Sequence, residues 1–111
     1  MIIDIPLPVK VTTNAIYAGM HWSKRKRLAD EYHLSLIEYR GRTIHTPCNL
    51  HFIFKFKQRP LDCSNCSFMV KMLEDAMVHN KILIDDTIQY VKRIHITSTK
   101  GERDEVKIIA I

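Results

Sequence analysis

The chain has 111 residues, 46% of them hydrophobic and 26% charged, which is enough for one hydrophobic core and too little for two domains. Seventeen Lys and Arg against twelve Asp and Glu leave a formal charge of +5 and a pI near 9.2, a balance that suits a polyanionic partner. No apolar run reaches membrane-spanning length, the N-terminal stretch lacks a signal-peptide layout, and an odd cysteine count argues against a disulfide framework, so a cytoplasmic, membrane-free protein is expected.

In chain order, residues Ile2 to Val11 alternate only in part, and Pro6 and Pro8 restrict them to an edge or irregular strand. Residues 12–22 read as a loop with Asn14 and Gly19 as turn residues. Ser23 is a candidate N-cap for an amphipathic helix to about Tyr39, and Gly41 is a natural stop. Leu28, Ala29, Tyr32, His33 and Leu36 share one face of it. The clearest strand runs from Pro47 to Lys57, where Leu50, Phe52, Phe54 and Phe56 alternate with more polar positions.

A second helix, capped by Ser64 or Asn65, is expected to run to about His79 with Phe68, Met69, Met72, Leu73, Ala76 and Met77 as its apolar face. Two strands close the chain, with Lys100 to Arg103 between them as a hairpin turn. The expected fold is α+β: a single domain over residues 1–111, a mixed sheet and two helices in the order β-α-β-α-β-β.

The chemistry gathers between Asp62 and Asp86. Asp62 follows a strand, Lys71, Glu74 and Asp75 lie on the second helix, and Asp85-Asp86 follow it. Carboxylates brought from a strand end, a helix and a loop can converge on a divalent cation, since magnesium takes few protein carboxylates and keeps several waters. Metal-assisted phosphodiester hydrolysis needs such carboxylates, an activated water and positive charge on the transition state, which Lys71 could supply. Taken singly, Lys71 and Asp75 are a surface i,i+4 pair worth a few tenths of a kcal/mol, and Asp85-Asp86 a solvated turn. Their clustering at structural junctions is what favours a site.

Asp62-Cys63-Ser64-Asn65, then Lys71 to Asp75, then Asp85-Asp86 resemble the RusA-like family of Holliday-junction resolvases. That family shows Asp-x-Asp-Asn leading into a helix, Lys-x3-Asp on the helix, and an Asp-Asp pair before a strand. The resemblance implies a magnesium-dependent endonuclease, with manganese as a substitute cation. Asp62 and Asp86 would be metal carboxylates, with Asp75 or Asp85 standing in for the missing one, and Asp62, Lys71, Asp75 and Asp86 the catalytic set. It also implies a homodimer acting on branched DNA, in a bacterial or phage setting. Two departures stand out: Ser64 replaces the family's second Asp, and Lys71 lies six residues after Asn65 instead of three.

Phosphate contacts are expected from Lys24, Arg25, Lys26 and Arg27 at the start of the first helix, and from Lys55, Lys57 and Arg59. Trp22 could stack on an exposed base, although a Trp before a helix more often anchors a core. The alternatives are a DNA- or RNA-binding domain that has lost its metal site, and a zinc module built on Cys63 and Cys66. The second lacks two further ligands at zinc spacing. The six histidines show no metal-ligand spacing and read as non-ligands.

Overall fold

The computed structural model describes residues 1–111, the Tyr17 side chain excepted. Strands β1 (Ile2–Pro6), β2 (Cys48–Phe56), β3 (Val91–Lys100) and β4 (Glu105–Ala110) form one mixed sheet in the order β1-β4-β2-β3. Its helices are α1 (Thr13–Tyr17), α2 (Trp22–Ser35) and α3 (Ser67–His79). The α+β class and the mixed sheet are as expected, with one helix more than the sequence suggested. Among the described residues no helix is long and apolar enough to cross a membrane.

β2 holds the centre because its pattern demands it. Leu50, Phe52, Phe54 and Phe56 are all fully buried, so one face of the strand must be covered along its whole length. They share a core with Ile3 and Ile5 of β1, Val106 and Ile108 of β4, Leu28 and Tyr32 of α2, and Leu73 and Met77 of α3. The helices therefore cover one face of the sheet, and the alternate β2 positions Asn49, His51, Ile53 and Lys55 are only partly covered. β1, with its closing Pro6, pairs only with β4 and is an edge, as the proline requires.

Three expectations are corrected. β3 and β4 form no hairpin: β2 lies between them, parallel to β3 and antiparallel to β4. Residues 101–104 instead cross the end of β2, where Gly101 N donates to Phe56 O. A side chain on Gly101 would bring its Cβ within 2.8 Å of Lys55 Cβ, so the crossing needs the bare backbone. Residues 13–17 are not loop but α1, capped by Thr12, whose hydroxyl accepts from Ala15 N. Finally, α2 is capped not by Ser23 but by His21, whose Nδ1 accepts from Ser23 N, and it ends at Ser35 before a 3-10 turn over Ile37–Tyr39. Trp22, in the first turn of α2, is 71% exposed and anchors no core.

Candidate functional site

Two local features set the start of α3. A 3-10 turn over Cys63–Cys66 leads in from β2, and no side chain within the turn caps the helix. The cap comes from α1 instead: Thr13 Oγ1 accepts from Phe68 N at 3.1 Å and stands 2.9 Å from Ser67 Oγ. This satisfies one of the free N–H groups of the first helical turn. Helix α3 then buries Met69, Val70, Leu73, Ala76 and Met77, which leaves Lys71 and Asp75 on its exposed flank.

The chain returns along that flank and brings Asp86 back to Lys71. Lys71 Nζ donates to Asp86 Oδ2 at 2.7 Å and lies 3.1 Å from Asp75 Oδ1. The hydrogen bond to Asp86 holds the Lys71 ammonium well above the ordinary lysine range, and the same bond holds the Asp86 carboxyl below the usual carboxylate range. Asp85 turns its Oδ1 inward to accept from Asp86 N at 2.8 Å. That bond fixes the Asp-Asp turn.

Glu74 completes the group. It is buried, and burial together with the negative charge of Asp86 pushes its carboxyl up to about 7. Lys71, Glu74 and Asp86 line one hollow of about 450 Å³ with Lys92, Arg93, Ile88 and Ile94. Lys92 enters it because β3 carries a bulge: Cys48 faces Val91 but Asn49 faces Arg93, so Lys92 is the extra residue. Bulges re-aim side chains in this way.

Of the residues expected from sequence, the structure thus gathers Lys71, Asp75 and Asp86. Asp62 lines a separate hollow with Arg59, Pro60, Leu61 and Asn65. Lys24, Arg25, Lys26 and Arg27 are exposed along α2, and Lys57 and Arg59 follow the end of β2. Lys55 falls on the sheet face opposite the helices, 3.8 Å from Glu105. The sequence placed Glu74 on the helix of the acidic stretch but gave it no role, and Lys92 and Arg93 were missed. Glu74 carried a signal in hindsight, as an acid next to the apolar stripe of α3; the bulge carried none.

The implied divalent cation can be tested against this donor set. Oxygens of Asp75 and Asp86 converge on one point, and a cation, the Lys71 ammonium, stands there. Two carboxylates completed by water and substrate oxygens are an ordinary magnesium set, so the residues present fit an ion that takes the place of the ammonium. Among the described residues no three His, Cys, Asp or Glu side chains form a ready-made metal cluster. Compared with protein-family models and with curated proteins, the chain matches none.

Proposed function

We propose that the chain is a magnesium-dependent, structure-selective endonuclease of RusA-like type, cytoplasmic and dimeric, that cuts four-way DNA junctions. The observation that carries this reading is the convergence of Asp75 and Asp86 on the Lys71 ammonium, beside buried Glu74 and a hollow that Lys92 and Arg93 also line. Acidic groups that can hold a cation and basic groups that can hold a phosphate are what phosphodiester hydrolysis requires in one place.

A bound magnesium ion would supply Lewis acidity and charge neutralisation, held by Asp75 and Asp86. An ion held there would displace the Lys71 ammonium from the two carboxylates and leave it to face the scissile phosphate. Lys92 and Arg93 hold the flanking phosphates, and Asp85 fixes the turn that presents Asp86.

The deciding measurement is cleavage of a labelled four-way junction beside a linear duplex, with magnesium and with chelator. Paired nicks in the junction only, lost at least a hundredfold in Asp86→Asn and in Lys71→Ala, are expected. Tight junction binding without cleavage under magnesium or manganese would instead identify a DNA-binding domain on the same fold.

A further inference from the structure

The sheet face opposite the helices carries a pair of histidines that sequence spacing hides. His51 of β2 and His95 of β3 are directly opposite each other in the parallel register. Their ring centroids are 6.0 Å apart with the planes at 64°. They line a hollow of about 400 Å³ with Asn49, Thr97 and Ile111. His51 Nε2 is 2.7 Å from Thr97 Oγ1. In the tautomer in which Nε2–H donates to that hydroxyl, Nδ1 keeps a free lone pair, which is how a neighbouring oxygen sets a metal-binding imidazole.

We infer that His51 and His95 form a two-imidazole site for a divalent transition-metal ion on the open face of the sheet, apart from the carboxylate site. Geometry favours it. Metal–nitrogen bonds of about 2.1 Å put an imidazole centroid about 3.2 Å from the ion, so two rings have centroids about 5.2 Å apart at a tetrahedral angle and about 4.5 Å apart at the right angle of nickel or copper. The observed separation of 6.0 Å closes to that range by side-chain rotations on two paired strands.

The other histidine pair shows what a non-site looks like. His33 and His79 stack at 4.1 Å with planes only 5° apart, and lone pairs lying in parallel planes do not converge. Imidazole donors select nickel, copper or zinc over magnesium, which prefers oxygen. The remaining coordination positions are filled by water. The two metal preferences therefore separate on one molecule.

The test is calorimetric titration of the full chain with Ni²⁺ alone at pH 7.5, on wild type and single variants. One ion per chain is expected. Affinity should fall at least tenfold in both His51→Gln and His95→Gln, because either loss breaks the chelate. It should hold in His33→Gln, Cys63→Ser and Asp86→Asn. Absence of nickel binding would overturn the site, as would unchanged affinity in both His variants or a loss confined to Cys63→Ser or Asp86→Asn. None of these outcomes bears on the nuclease reading, whose test uses magnesium and DNA.

Discussion

Glu74 and Lys81 show how single residues store free energy in this fold. Glu74 is 7% exposed and its carboxyl sits at about 7. The folded chain therefore holds that proton more tightly than the unfolded chain, whose carboxyl titrates near 4.5. Its contribution is fully present below pH 4.5 and is lost as the pH rises through 7. In chelator, Glu74→Gln is expected to stabilise the chain by on the order of 2 kcal/mol at pH 8, and by little at pH 4. Urea denaturation at the two pH values checks this; an equal gain at both would remove Glu74 as a titrating group. Lys81 follows the α3 C-cap Asn80 with φ of 59°, a left-handed conformation that costs a side-chain-bearing residue about 1 kcal/mol. Lys81→Gly should recover up to about 1 kcal/mol, read as a higher denaturation midpoint.

Between elements, the contact of α2 with α3 depends on a buried amide and two stacked rings. Asn80 is fully buried, and its Nδ2 donates to His33 O at 2.8 Å and to Ala76 O at 2.9 Å. Asn80→Leu leaves the His33 carbonyl without that donor, so a loss of about 2–3 kcal/mol is expected in equilibrium unfolding. Next to it, burial and the stacked His79 ring lower the His33 pKa from 6.5, while Asp30 and Asp75 oppose the shift. The unfolded chain thus takes up the proton first. Stability from this stack is present above pH 6.5 and is lost as the pH falls below it. A His79→Gln variant should therefore lose less thermal stability than wild type between pH 7 and pH 5.

These elements also show what was legible in the sequence. The alternation of Leu50, Phe52, Phe54 and Phe56 announces a half-buried strand, and the α3 stripe announces a helix, because both signals are periodic and local. β2 was readable as a strand, but not as the strand that separates β3 from β4. That outcome depends on the α3 crossover placing β3 beside β2, and no turn residue reports it. Thr13 capping α3 is likewise a contact across 55 positions of chain. Lys71 with Asp75 followed from i,i+4 spacing, whereas the return of Asp86 to Lys71 and the bulge at Lys92 arise only from packing.

At the scale of the whole molecule, the +5 charge matters less than where it lies. Lys71, Lys92 and Arg93 line one hollow at the β3 edge, whereas Lys55 lies far along β2 on the open sheet face with Glu105 within 3.8 Å. A junction engaged at the proposed site can meet the first group and not Lys55. Each phosphate contact releases counterions and steepens the salt dependence of binding by about 0.9 in the logarithmic slope. Replacing both Lys92 and Arg93 by Gln should therefore weaken four-way-junction binding and flatten that slope by about 2, with Lys55→Gln leaving it unchanged. Both positions are exposed on the edge strand β3, so folding is not at stake. Fluorescence anisotropy from 50 to 300 mM salt, using the uncleaved complex in calcium, reads the slope directly. A flattening by Lys55→Gln with none from the Lys92 and Arg93 pair would put the DNA on the open sheet face, against the histidine pair, and move the binding surface away from the carboxylates.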